Sequence, residues 1–408
     1  MEKYIVTMLG EKDHGKSTLI GNMLIATGST TEARIDEARK HGKRWEPGYI
    51  LDSFTEERQQ EMTIDTTRAE ITYRKRLFEL IDVPGHLELI KNMMSGASNG
   101  DFAVLMLSVK EGEGFQPQTK RHLFLSSMFG MKALIVAVNK MDLAKYDKKV
   151  FDAMKNDVSS YLNAIGFDKP VLFVPISAYN NENLVKLSKN MPWYKGKPLM
   201  DIIYSFATKA DRIDRSVNNL RALVQDSSEA ADGMAHYGIL YHGKINVNDK
   251  VVVEPKGAEM KIKSIYVRGK KVKSSKPVTN IAVVFDKNTE IERGSIIYDK
   301  QSSPHKKTGF TAKIFLIKPL DTKEVGKLTV KMNNNDRSLK SISVRSVISP
   351  LTGEANSAKT SRVAVNNAAN VDVTLKAPYP VERYNNFNEF GRFAIYKDDT
   401  FMGVGLVV

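Results

Sequence analysis

The sequence predicts an α/β domain with a doubly wound, mostly parallel sheet built around a phosphate-binding loop, followed by two all-β barrels. Three observations carry that prediction. A glycine-lysine loop, Gly10-Glu11-Lys12-Asp13-His14-Gly15-Lys16-Ser17, lies between an apolar run from Tyr4 to Leu9 and a helix-like stretch beginning at Thr18. Strand and helix signals then alternate to about Phe206, as in a parallel sheet covered by helices on both faces. Beyond Ser216 short strands with Gly, Asn and Asp turns take over, at Tyr237 to Tyr241, Lys250 to Val253 and Ile262 to Tyr266, which is the spacing of barrels. A chain of 408 residues has room for two or three domains, and the expected bounds are 1–210, 216–300 and 306–408. Ala210 to Arg215 and Gln301 to His305 are the expected linkers.

The first strand-loop-helix unit reads as a phosphate cradle. Gly10 and Gly15 allow backbone N–H groups to turn inward and approach oxygen anions at dihedral angles that a side chain obstructs. Asp13, His14, Gly15, Lys16, Ser17 and Thr18 are the residues expected around the nucleotide phosphates. Lys16 reaches the β and γ phosphates, Ser17 places a hydroxyl on Mg²⁺, and the helix that follows directs its partially positive N-terminus at the same anions.

The strand-like segment Leu77 to Ile81 delivers Asp82-Val83-Pro84-Gly85-His86 to a strand end. Asp82 suits a water-mediated Mg²⁺ contact, because magnesium takes hard oxygen ligands and keeps several waters. Gly85 turns its N–H toward the γ-phosphate, and His86 stands where a side chain positions the attacking water. Thr63, in Glu61-Met62-Thr63-Ile64-Asp65, is the expected second magnesium hydroxyl, on a loop that orders with the γ-phosphate.

After the apolar run Ala133 to Val138, the turn Asn139-Lys140-Met141-Asp142 presents an amide, an amine and a carboxylate together. The Asp142 carboxylate can accept from N1–H and the exocyclic amine of guanine as a bidentate pair, and adenine has neither donor there. A buried acceptor left unpaired by the wrong base discriminates strongly, so Asp142 argues for GTP and GDP over adenine nucleotides. Asn139 and Lys140 brace the turn and cover the base. Ser177-Ala178, at the end of the run Val171 to Ile176, places backbone N–H groups where the guanine carbonyl oxygen is expected.

No apolar run is long enough to span a membrane as a helix, and no secretory leader is read. The chain has no cysteine, which removes disulfides and thiolate metal sites and fits a cytoplasmic protein. Its net charge of +14 is uneven: residues 1–210 carry +3 and residues 211–408 carry +11. That excess on the expected barrels, with Lys270, Lys271, Lys273 and Lys276 as its densest cluster, fits either a nucleic-acid phosphate footprint or lysines guarding the edge strand of a hairpin.

Taken together the motifs resemble those of the translational GTPases, in the branch of elongation factor 1 alpha and elongation factor Tu. Ile90-Lys91-Asn92-Met93, Gly96-Ala97-Ser98, Val158 to Leu162, Asn190 to Gly196 and Gly391-Arg392-Phe393-Ala394 are similar to phrases of that branch. The resemblance is close over residues 1 to about 205 and looser beyond. It implies a GTPase that carries aminoacyl-tRNA to the ribosome in the GTP state, as a monomer, with a nucleotide exchange factor as a further expected partner. Two other functions stand beside it: the GTPase subunit of sulfate adenylyltransferase, and a release or surveillance adaptor whose barrels bind a protein that mimics tRNA. The chain departs from the family pattern at Glu11 and Lys12, and in Arg58-Gln59-Gln60-Glu61-Met62 before the switch threonine. The resemblance implies an apolar gate beside the histidine, and Lys12 and Met62 stand at its two positions.

Overall fold

The computed structural model describes residues 3–11, 13–40, 47–51, 67–82, 90, 102–210, 219–230, 232–287, 291–302, 304–357 and 360–408. These fall into two compact units, one of Met1–Arg212 with Ser349–Glu354, the other of Ile213–Ile348 with Ala355–Val408. Lys12, Met62, Thr63, Gly85 and His86 lie outside the described residues, as does most of the first expected linker.

In the first unit the strands are β1 (Lys3–Leu9), β2 (Thr67–Tyr73), β3 (Arg76–Asp82), β4 (Phe102–Ser108), β5 (Leu134–Asn139) and β6 (Val171–Pro175). The helices are α1 (Lys16–Ala26), α2 (Glu32–Lys40), α3 (Pro117–Met128), α4 (Lys148–Ala164) and α5 (Leu199–Ala210). The sheet order is β2-β3-β1-β4-β5-β6; β2 runs antiparallel to β3 and the other neighbours are parallel. Every residue of β4 and β5 is buried, which explains why these strands are continuous apolar runs and not alternating ones: both their faces are covered.

The topology places the site. After β1 the chain forms the edge strand β2, returns to β3 beside β1 and then crosses to β4 on the other side, so the loop after β1 opens where the strand order reverses, the usual crevice of such sheets. Because the strands are parallel, the residues that follow β1, β3, β4, β5 and β6 converge on this one edge. Helix starts follow local chemistry. Pro117 opens α3, where a missing N–H costs nothing, and Asp147 caps α4 by accepting from Lys149 N at 2.8 Å. Helix α1 begins at Lys16, two residues before the helix-like stretch suggested by the sequence, because Gly15 at φ 90° turns the chain directly into the first helical residue.

The second unit holds two closed antiparallel sheets. The first is formed by β7 (Arg221–Ala230), β8 (Gly233–His242), β10 (Lys250–Glu254), β11 (Ala258–Val267), β12 (Lys270–Val272), β14 (Thr279–Phe285) and β15 (Ile296–Asp299), with β9 (Ile245–Asn246) and β13 (Ser274–Ser275) as a small side ribbon. Its order β10-β15-β7-β8-β14-β11 is closed by pairing of β10 with β11, and β12 is an appended edge. Alternate residues such as Ala222 and Val224, Val251 and Val253, and Ile281, Val283 and Phe285 fill its interior. The second sheet runs β18 (Leu328–Met332), β23 (Arg392–Lys397), β24 (Thr400–Val407), β16 (Lys306–Leu316), β22 (Ala368–Pro380) and β19 (Asn335–Ile348), closed by β18 with β19. The short strand β20 (Ala355–Asn356) is appended to it beside β19, and β17 (Leu320–Asp321) pairs with β21 (Arg362–Val363) as a separate two-stranded ribbon. Its core includes Ile314, Val330, Val371, Val373, Phe393 and Ile395.

The lysine cluster divides between its two readings. Lys270 and Lys271 lie on the appended edge strand β12, and Lys270, Lys271, Lys273 and Lys276 are all exposed; Lys271 is also paired with Asp232 at 2.6 Å. Among the described residues no helix is long and apolar enough to cross a membrane.

Candidate functional site

The phosphate loop is shaped by close approaches that only glycine tolerates. Gly10 has φ 137°, and a Cβ there would meet Met106 O at 2.7 Å; at Gly15 it would meet Asn139 Nδ2 at 2.5 Å. Helix α1 starts with no side-chain cap on its N–H groups, so those donors remain available at the loop. Lys16 is nearly buried at 8% exposure and donates to Gly10 O and Glu11 O, each at 2.9 Å. Its ammonium also lies 3.8 Å from Asp82 Oδ1, at the end of β3. A buried cation held chiefly by carbonyls, with one carboxylate near it, is suited to an anionic ligand. Asp13, in the left-handed region at φ 70°, and Ser17 are exposed, and Thr18 is half-buried in the first turn of α1.

His14 is buried behind the loop. Its Nδ1 stands 3.0 Å from Met106 O, and its Nε2 stands 3.3 Å from Glu113 O. Glu11 is fastened by its carboxylate, which accepts from Thr119 Oγ1 at 3.2 Å.

Asn139 joins the sequence motifs into one structure. Its Nδ2 donates to His14 O in the phosphate loop at 2.8 Å, and its Oδ1 accepts from Ala178 N, also at 2.8 Å. One buried amide therefore ties the ends of β1, β5 and β6 together. Ala178 N–H is spent on that bond, so it braces the turn, which differs from its expected outward role toward a base carbonyl. Asn22 of α1 adds a second tie by donating to Ala178 O. Ser177 Oγ donates to Asp142 Oδ1 at 2.6 Å and fixes the plane of that carboxylate.

Lys140 has φ 64°, in the left-handed region, and its ammonium reaches Glu113 Oε2 at 2.6 Å. Lys110 holds the other oxygen of the same carboxylate at 2.9 Å. Burial pushes the Glu113 carboxyl up, but hydrogen bonds from Lys140, Ser108 and Lys110 outweigh it and hold the group at about 2.

Of the residues singled out from the sequence, the structure thus brings together Asp13 to Thr18, Asp82, Asn139, Lys140, Asp142, Ser177 and Ala178 along one sheet edge. Sequence reasoning missed Asn22, Thr119 and Glu113. For Glu113 a signal was present: an acid in the turn Glu111-Gly112-Glu113-Gly114, shortly after the apolar run Phe102 to Leu107. Asn22 and Thr119 sit in the middle of helical stretches and carried none.

Residues 2–291 match the family described as elongation factor Tu GTP binding domain. Residues 309–408 match the GTP-eEF1A C-terminal domain-like family. The chain is 32% identical over 396 residues to elongation factor 1-alpha of Methanothermobacter thermautotrophicus, covering 96% of this chain and 93% of that protein. Against elongation factor 1-alpha of Archaeoglobus fulgidus it is 32% identical over 413 residues, covering 99% and 96%. In fold it is similar to the solved Ski7 GTPase-like domain of S. cerevisiae bound to GTP, with a TM-score of 0.58 at 15% identity, covering 100% of this chain and 97% of that one.

Proposed function

Since this chain belongs to the elongation factor Tu GTP-binding family and is a GTPase of the translational kind, we propose that it delivers aminoacyl-tRNA to the ribosome in its GTP state. The reading is carried by one observation in the second unit. A pocket of about 500 Å³ in the first barrel is lined by apolar residues that include Ala235, Ile281 and Ala282, together with Gln225, Tyr266 and Arg268. An apolar recess with a few directed polar groups fits a small acyl ester and its nucleoside better than it fits a folded protein surface. The +11 charge of residues 211–408 adds the field that a tRNA backbone requires.

In the proposed cycle Lys16 and the loop N–H groups hold the phosphates, and Asp142 reads guanine while Asn139, Ser177 and Ala178 hold its turn in place. Lys140 covers the base. Mg²⁺ is assigned to Ser17, Asp82 and Thr63, and the donors within the described residues fit it: an exposed hydroxyl at the start of α1 and a carboxylate at the mouth of the loop, both hard oxygens. When bound, the ion offsets phosphate charge. Gly85 is assigned to the γ-phosphate and His86 to the attacking water. The protein acts in the cytoplasm.

Filter binding with charged tRNA tests delivery. Retention is expected with a non-hydrolysable GTP analogue and not with GDP; equal retention in both states, or none, overturns the reading. For hydrolysis, His86→Ala is expected to leave GTP affinity unchanged and to slow ribosome-stimulated single turnover about a hundredfold. An unchanged rate removes His86 from the reaction.

A further inference from the structure

We propose that Glu113 is a positioning residue of the nucleotide site: its carboxylate fixes Lys140 over the base. The inference rests on the guanine-site reading above and extends it to a residue outside the sequence motifs. Glu113 is attached in both directions. Its side chain reaches Lys140 in the turn after β5 at 2.6 Å, while its backbone carbonyl faces His14 Nε2 in the loop after β1 at 3.3 Å. The turn that carries it is itself closed, by Glu113 N donating to Lys110 O at 3.1 Å and by Gln116 Nε2 donating to Gly112 O at 2.9 Å.

The geometry separates this pair from an ordinary surface ion pair. Exposed pairs contribute little because water competes and two long side chains must be immobilised. Here the Glu113 side chain is 17% exposed and that of Lys140 22%, and the carboxylate is shared between two ammonium groups, one on each oxygen. Removing its charge leaves Lys140 and Lys110 facing each other as like charges. Lys140 then has reason to leave the position from which its aliphatic stem covers the base. His14 and Asn139 already join the phosphate loop to β4 and β5, so Glu113 acts on the placement of Lys140 and not on the integrity of the loop.

The test is release of a fluorescent GDP from the full-length protein, chased with excess GDP, alongside a fluorescent ADP control. Glu113→Gln is expected to release GDP about tenfold faster, the scale of one lost charge-assisted hydrogen bond. Glu113→Asp keeps the charge and is expected to restore part of the wild-type rate. The deciding arm is Lys140→Met, which keeps the stem and removes the ammonium: in that background Glu113→Gln is expected to add nothing. An unchanged release rate in Glu113→Gln, or an equal acceleration in the Lys140→Met background, overturns the proposal while leaving the guanine site standing. Failure of the wild-type protein to prefer GDP over ADP overturns the guanine site and this inference with it.

Discussion

Replacing Asp142 by Asn is expected to exchange guanine for xanthine as the preferred base, with a change in relative affinity of roughly 10⁴-fold. The carboxylate accepts from two guanine donors, N1–H and the exocyclic amine; xanthine carries an oxygen in place of the amine. Ser177 favours one orientation of the new amide. Its hydroxyl donates to Asp142 Oδ1 at 2.6 Å, so the carbonyl oxygen of an asparagine takes that place and the amide nitrogen takes the place of Oδ2. The NH₂ group then meets the xanthine oxygen as a donor and faces the guanine amine as a repulsive one. Competition between guanosine and xanthosine diphosphates measures the exchange. A preference for guanine that survives the substitution shows that the base is read by other groups.

The parts of this site that were legible in the sequence are those whose chemistry is local. A glycine-lysine loop works only between a strand and a helix, so Tyr4 to Thr18 specify strand, turn and helix within a few residues. The apolar run Ala133 to Val138, which from Leu134 on lies in β5, is similarly local, because a strand covered on both faces has no polar face to show. Pairings across the chain were not legible. Asn22 with Ala178, 156 residues apart, and Arg221 with Glu382, 161 apart, follow from how β-strand ends and barrels are brought together, and no spacing rule encodes them. The lysine cluster shows a third case. Charge count registers Lys271 and Lys273 alike, but only the fold supplies Asp232 as the partner of Lys271.

Arg221→Ala is expected to destabilise the second unit by about 3–5 kcal/mol, the cost of leaving a buried charge uncompensated. Arg221 is 3% exposed, its Nε donates to Glu382 Oε1 at 2.7 Å, and its other nitrogens donate to Leu220 O and to the hydroxyl and carbonyl of Ser302. The guanidinium also lies 4.5 Å from the centre of the Tyr298 ring and 4.3 Å from that of Phe387. Glu382→Gln should cost less, about 1–2 kcal/mol, because Arg221 keeps its remaining acceptors and both rings. The two variants should also respond oppositely to pH. Burial raises the Glu382 carboxyl above its ordinary range, and the attraction of Arg221 only partly opposes this. A carboxyl raised on folding stabilises below its ordinary value of about 4.3 and loses that contribution as pH climbs through the raised value. Glutamine does not titrate, so the cost of Glu382→Gln should shrink as pH rises from 4 toward 7. In Arg221→Ala the opposing cation is gone, ionisation of Glu382 becomes harder still, and the cost should grow over the same interval. Urea unfolding at pH 4 and pH 7, followed by a probe in the barrels, measures both slopes. A cost of Arg221→Ala that does not change between the two pH values would mean that Glu382 titrates independently of Arg221, and that the packing of the guanidinium between Tyr298 and Phe387, not its charge, holds this part of the barrels together.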